Sequence, residues 1–263
     1  PDKLNEITGN NARPKRSMGQ NYLTDENICR NIVNAFDIQL GEHIIEIGPG
    51  KGAITRFILE KTNNLTVIEL DRNNCAILKE LFPALNIINS DFLKLDMNEL
   101  VKDPYDKLRV IGNIPYNITS PIIFKLADNR GIIKDAQLMI QEEVARRITA
   151  EPNNKEYGIP SVILNVFSSS KLLFKVSRAC FYPKPKVDSR IIYFDFTDSI
   201  EERINDIAFF RKLVKAAFGT RRKTLRNCLK NIDVDLTKAG IDLGRRAESL
   251  SVDEFIELSN RLC

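Results

Sequence analysis

Residues 110–121 read VIGNIPYNITSP and set Asn113, Ile114, Pro115 and Tyr116 directly behind an apolar run. Pro115 fixes its own φ and drives Ile114 into an extended conformation, which keeps the Ile114 carbonyl out of any helix. That carbonyl and the side-chain oxygen of Asn113 can converge on a single NH₂ group. Tyr116 offers a face on which a flat base can stack, worth roughly 1–3 kcal/mol per base. An aromatic exocyclic amine is a poor nucleophile because its lone pair is delocalised into the ring. Two acceptors holding its protons favour the pyramidal geometry that frees the pair, and they aim it along a sulfonium C–S axis. Such positioning supplies several kcal/mol, with an upper range of about 7–11 for ideal intramolecular alignment. The motif supplies no evident general base, and none is required if the proton leaves after attack, once the nitrogen is cationic.

A second aromatic cluster, ACFYPKPKVDS, spans residues 179–189. Pro183 and Pro185 stiffen it, Phe181 and Tyr182 are available for stacking, and Lys184 and Lys186 are placed to meet phosphates. Phe181 is the ring expected to close a base sandwich opposite Tyr116.

The chemistry also needs a donor pocket. EIGPGKG, residues 46–52, follows a strand-like run and precedes a helix-like one, and glycines there permit a tight turn and close approach of backbone to ligand. Glu69 stands 21 residues after Gly48, where a carboxylate would meet vicinal ribose hydroxyls. Asp91 is a second acid at the end of the next run. Gly48, Glu69, Asp91 and Asn113 all fall at the carboxyl ends of predicted strands, the edge where open α/β sheets bind ligands. The glycine spacing is GxGxG rather than GxGxxG, closer to S-adenosylmethionine-dependent methyltransferases than to dinucleotide dehydrogenases, although spacing alone leaves NAD open.

The elements that must carry these residues are short continuous apolar runs: HIIEIG (43–48), LTVIEL (65–70), LNIINS (85–90), LRVIGN (108–113) and AQLMIQ (136–141). Continuous rather than alternating hydrophobicity predicts parallel strands covered on both faces. AITRFILEKT and NNCAILKELF supply crossover helices, so the pattern predicts a doubly wound α/β sheet of Rossmann-like type. Thr24, followed by Asp25 and Glu26, predicts the cap of a helix reaching about Phe36. Two late strands are expected near 172–177 and 190–196, then helices and loops ending in a helix from about Val252. The domain boundary is expected near 196–203, giving a Rossmann-like domain over 1–198 and a small helical C-terminal domain over 199–263.

Composition narrows the chemistry. His43 is the single histidine, which argues against a zinc site or an imidazole-based triad, and no metal is expected. The five cysteines show no CxxC spacing and fit reduced thiols rather than a disulfide framework. No apolar run approaches the ~20 residues that cross a bilayer, and the N-terminal residues lack a signal-peptide core, so a cytoplasmic protein without membrane contact is expected, monomeric by default. The net charge is only +4, but residues 211–230 hold eight Lys or Arg and no Asp or Glu, with apolar residues at helical spacing. A run this one-sided predicts a basic helix facing a polyanion, joined by Arg13, Lys15 and Arg16 of the N-terminal arm.

Taken together, KRSMGQNYL, EIGPGKGAIT, TVIELD, GNIPYNITSP, EPNNKEYGIPSV, FYPKPKVDS and FGTRRKTLRNCL resemble the small-subunit rRNA adenine dimethyltransferases, the KsgA family, over nearly the whole chain. The resemblance implies transfer of two methyl groups from S-adenosylmethionine to each of two adjacent adenosines near the 3′ end of 16S rRNA in the small ribosomal subunit. It implies that Asn21, Leu23, Gly48, Glu69, Asp91 and Asn113 contact the donor, and that Asn113, Tyr116 and Phe181 handle the base. Arg221, Arg222, Lys223 and Arg226 would meet rRNA. The family often has leucine where this chain has Ile114, but only that residue's backbone is needed.

Three other readings share parts of the pattern. Large-subunit (23S) enzymes of the macrolide-resistance type share NIPYN and PKPKV, whereas PNNKEYGIPSV and FGTRRKTLRN resemble the small-subunit enzymes. A ribosome-assembly factor whose methylation is secondary would use the same basic run. DNA adenine methyltransferases share the Asn-x-Pro-Tyr logic and would have to flip their target base, yet no obvious reader of a DNA sequence follows.

Overall fold

The computed structural model describes residues 20–101 and 107–263. The N-terminal arm with Arg13, Lys15 and Arg16, and the first residues of KRSMGQNYL, lie outside these.

Four apolar runs form adjacent parallel strands. They are β2 (Ile44–Ile47), β3 (Leu65–Glu69), β4 (Asn86–Asn89) and β5 (Leu108–Asn113), and β5 pairs in parallel with β6 (Ile133–Gln141). Helices α2 (Thr55–Leu59), α3 (Arg72–Leu81) and α4 (Thr119–Asp128) make the crossovers. β7 (Ser169–Val176) and β9 (Ser189–Asp195) complete a seven-stranded sheet of order β4-β3-β2-β5-β6-β9-β7. The order reverses between β2 and β5, which places a crevice at their carboxyl ends. β2 and β3 are buried at every position, as continuous apolar runs require when a sheet is covered on both faces.

β1 (Tyr22–Leu23) lies outside this sheet and pairs antiparallel with β8 (Phe181–Tyr182). It leads into α1 (Glu26–Phe36), whose cap is Asp25 rather than Thr24. The Asp25 side chain accepts from the Ile28 amide at 3.1 Å, while the Thr24 hydroxyl donates to the Cys180 carbonyl at 3.0 Å.

The chain parts into two compact units, and a single cut does not separate them. The first takes the described residues up to Glu142 together with Leu172–Phe194, and the second takes Glu143–Lys171 with Asp195–Cys263. Most of α5 (Glu142–Ile148) and all of α6 (Ile159–Phe167) therefore belong with the C-terminal helices α7 (Ile207–Ala217), α8 (Leu225–Leu229) and α9 (Val252–Leu262). The reason is packing. Tyr157 sets its ring edge-on to Phe218 at 6.0 Å, and Phe218 lies 5.7 Å from Phe255, one aromatic core built from both segments.

The basic run is not one helix. α7 ends at Ala217, Gly219 donates to the Ala216 carbonyl at 3.0 Å, and α8 starts only at Leu225. Phe218 turns into the aromatic core of the second unit, which halts the helix and leaves Arg221, Arg222 and Lys223 on a connecting turn.

Candidate active site

Gly48, Glu69, Asp91, Asn113, Tyr116 and Tyr182 line one cavity of about 520 Å³ in the first unit. That size falls within the roughly 300–1,000 Å³ of small-molecule pockets. The glycine turn after β2 shapes one wall. Gly48 donates to the Ile68 carbonyl at 2.9 Å and Gly50 donates to the Glu69 carboxylate at 3.0 Å. Gly50 holds φ +59, and a Cβ there would come within 3.0 Å of the Tyr22 ring, so the position needs glycine twice over.

Glu69 is more committed than its place at a strand end suggests. Its second oxygen accepts from the Asp71 amide at 2.8 Å, so two main-chain amides fix the carboxylate at the cavity wall. Burial raises its pKa, opposed by those two hydrogen bonds and one from Asn74. Asp91 accepts from the Leu93 amide at 3.0 Å through one oxygen, which holds its turn against the cavity.

Residues 20–23 pass over the glycine turn as a strap. The Gln20 side chain donates to Asp71 at 3.1 Å, and the Tyr22 hydroxyl lies 3.0 Å from the Gln20 side-chain oxygen and 3.3 Å from that of the buried Asn74. The Lys51 ammonium sits 5.3 Å above the Tyr22 ring. Asn21 and Leu23 thereby line the same cavity as the strand-end residues. Nothing in the residue type of Tyr22 marks it as part of this wall. Its signal was its neighbourhood rather than its type.

The Asn113–Tyr116 turn has the construction the proline implies. Pro115 sits at φ −57 and ψ 133, and its carbonyl accepts from the Ile118 amide and the Thr119 hydroxyl, both at 3.2 Å. The Ile114 amide donates to the Met139 carbonyl at 3.1 Å with the side chain fully buried, so that peptide cannot rotate. The Asn113 side-chain NH₂ donates to the Asn21 carbonyl at 3.0 Å, which directs the side-chain oxygen, on the opposite edge of the same planar amide, away from that carbonyl. Immediately before it, Gly112 lets β5 lie against β2. A Cβ there would meet the Ile47 carbonyl at 2.7 Å.

The structure does not bring Phe181 to this cavity. Its ring is 4% exposed and packs in the core with Leu23, Met139, Val176 and Ile191, whereas Tyr182 is 66% exposed and lines the cavity. The register Tyr22↔Tyr182 and Leu23↔Phe181 explains the exchange, because neighbouring residues in a strand face opposite ways. Both tyrosines share one face of the ribbon, and Phe181 shares the core face with Leu23.

A further carboxyl at the cavity is Glu46, in β2. Complete burial pushes it up to about 8; the Thr55 hydroxyl, donating at 2.6 Å, opposes the shift and the Glu69 charge adds to it. A carboxyl in that environment carries its proton near neutrality. Nothing local in the stretch EIGPGKG reveals how deep this strand residue lies.

In the second unit, Arg221, Arg222, Lys223 and Arg226 are exposed. Arg221 bonds to the Lys155 carbonyl and stands 3.7 Å from Glu248, so it is the most anchored of the four.

A doubly wound sheet with a nucleoside-sized cleft at its strand ends, roofed by a strap and floored by an Asn-Ile-Pro-Tyr turn, has the Rossmann-like methyltransferase fold. A dimethyladenosine transferase from Plasmodium falciparum has a similar structure, with TM-score 0.76 and 25% identity over 90% of this chain and 95% of that one. The 23S rRNA methyltransferase ErmE shares the fold at TM-score 0.68 and 23% identity, over 92% of this chain and 99% of its own. The ribosomal RNA small subunit methyltransferase A of Chlorobium phaeobacteroides (strain BS1) is 46% identical over 94% of this chain and 93% of its own length. That of Francisella tularensis subsp. novicida (strain U112) is 42% identical over 95% and 98%. A profile described as ribosomal RNA adenine dimethylase matches residues 11–263, and the chain belongs to that family.

Proposed function

We propose that this protein dimethylates the exocyclic amines of two adjacent adenosines near the 3′ end of 16S rRNA, in the cytoplasmic small ribosomal subunit. It acts as a monomer, with S-adenosylmethionine as methyl donor and no metal. The observation that carries the proposal is the side chain of Asn113, held by the Asn21 carbonyl so that its oxygen remains for a target amine at the wall of a nucleoside-sized cavity. Glu69 takes the donor ribose, Asp91 its base, and the strap at Asn21 and Leu23 the methionine end. The target base stacks on Tyr116, and its amine protons are shared between the Asn113 oxygen and the Ile114 carbonyl. The nitrogen lone pair attacks the methyl carbon, the C–S bond breaks with its pair going to sulfur, and the cationic nitrogen then releases a proton. After one transfer a single N–H remains, which either acceptor can hold for the second. Arg221, Arg222, Lys223 and Arg226 hold rRNA phosphates. Similarity to small-subunit methyltransferases over more than nine-tenths of both chains supports the small subunit over the large as substrate.

The test is incubation with labelled donor and small subunits lacking the modification, followed by nuclease digestion and mass analysis of the nucleosides. Dimethyladenosine is expected with the native protein and none with Asn113→Ala, whose fold and donor binding stay nearly intact. Label found only on large subunits would overturn the substrate assignment. Unchanged turnover by Asn113→Ala would remove that residue from the mechanism.

A further inference from the structure

The FYPKPKVDS segment ends in a residue with no assigned task. Ser189 opens β9, is completely buried, and its hydroxyl lies 2.9 Å from the hydroxyl of Tyr116. A phenol beside a cavity invites a role in proton transfer. Here that hydroxyl points into the protein, onto a buried serine, and burial raises its pKa further. It is therefore an anchor, and what Tyr116 presents to the cavity is its ring.

The serine itself cannot drift. The preceding residue, Asp188, accepts the Glu142 amide at its carbonyl at 3.1 Å and the Arg178 amide at its carboxylate at 2.9 Å, and its other oxygen meets Lys175 at 2.7 Å. Both ends of the 178–189 loop are thus stitched to one aspartate. The ring of Tyr116 sits on a one-turn 3₁₀ segment with no side-chain cap, so its backbone alone leaves the ring plane loosely set. The hydroxyl pair ties that plane to β9.

We infer that Ser189 is a positioning residue for base capture, fixing the stacking plane of Tyr116 through the hydroxyl–hydroxyl bond. The inference rests on the proposed function, since a stacking plane matters only if a base is brought to it. Docking of the subunit is made elsewhere, so loss of the anchor changes turnover rather than recognition.

The experiment is a double-mutant cycle on methylation of small subunits, using Ser189→Ala, Tyr116→Phe and the pair. Each single variant lowers kcat about tenfold, the size expected for one hydrogen bond that controls alignment, while KM for the subunit and for the donor is unchanged. The double variant is no slower than either single one, because both remove the same bond. Native-like turnover in either single variant overturns the inference, as does a Ser189→Ala loss undiminished in the Tyr116→Phe background, which would mark the serine as packing only. If Ser189→Ala does not fold, Tyr116→Phe alone decides. It removes only a hydroxyl, and full activity overturns the anchor. Failure of the native protein to methylate small subunits would instead sink the proposed function, so the two failures are told apart by the native control.

Discussion

The side-chain amide of Asn113 donates to the main-chain carbonyl of Asn21 across 92 residues of sequence, at 3.0 Å. One strap thereby borders the cavity and orients the side chain proposed to receive the target amine. Asn113→Asp exchanges the donor for an oxygen facing a carbonyl, so the group must turn away or the strap must lift. Turnover should fall by about 10² or more, the scale of a misplacement near 1 Å, with the melting temperature nearly unchanged. Steady-state kinetics beside a thermal melt check this. A fully active aspartate variant would show that the strap does not set the amide.

The ribbon register separates two neighbouring rings. Tyr182→Ala removes an exposed ring at the cavity and should lower kcat/KM several-fold without loss of stability. Phe181→Ala empties a core site and should cost about 3–5 kcal/mol in a urea titration. A stable Phe181→Ala protein would contradict the burial of that ring.

Glu46 makes stability depend on pH. Folded, its carboxyl holds a proton up to about 8; unfolded, it ionises from its ordinary value of 4.5. Over that interval the unfolded chain binds fewer protons, so stability falls as pH rises and levels off above about 8. Glu46→Gln, which mimics the protonated acid, should flatten that part of the curve and melt higher than native on the alkaline side. Melting curves in buffers spanning the interval decide it, and parallel slopes for both proteins would refute the shift.

Arg109 is the stability hub of the first unit. It meets Asp135 at 2.9 Å, pairs with Glu42, and caps the end of α1 by donating to the Phe36 and Asp37 carbonyls at 2.8 and 3.1 Å. Arg109→Met leaves the Asp135 carboxylate buried without its guanidinium, with a hydrogen bond from the Tyr193 hydroxyl at 2.8 Å. Breaking a buried pair from one side costs about 3–5 kcal/mol, to be read from denaturant unfolding.

On the second unit, Arg222→Ala and Lys223→Ala should each lower the slope of log binding constant against log salt by about one, measured on small subunits. Arg221, held by Lys155 and Glu248, should cost stability as well. An unaltered slope would mean that the turn does not face phosphate.

Much of this was legible in the residues because it is local. Parallel strands put their carboxyl ends on one edge, so Glu69, Asp91 and Asn113 could be grouped from run boundaries alone. What escaped depends on distant pairing. Nothing near residues 181–182 reports that Tyr182 aligns with Tyr22, and that register decides which ring is wet. The helical pattern of Ile159–Phe167 gives its type but not which core it joins, and Tyr157 answers that only through Phe218. The continuous basic helix failed for the opposite reason: spacing carried across Phe218 and Gly219, but a ring drawn into a core outweighs periodicity.

In the proposed mechanism the pair of oxygens at Asn113 and Ile114 would also act as a filter. Guanine would stack on Tyr116 as readily as adenine, but at the same edge it carries a keto oxygen, which two lone-pair-bearing groups repel. A purine that slipped into the cleft out of register would be turned back by that mismatch before any methyl moved.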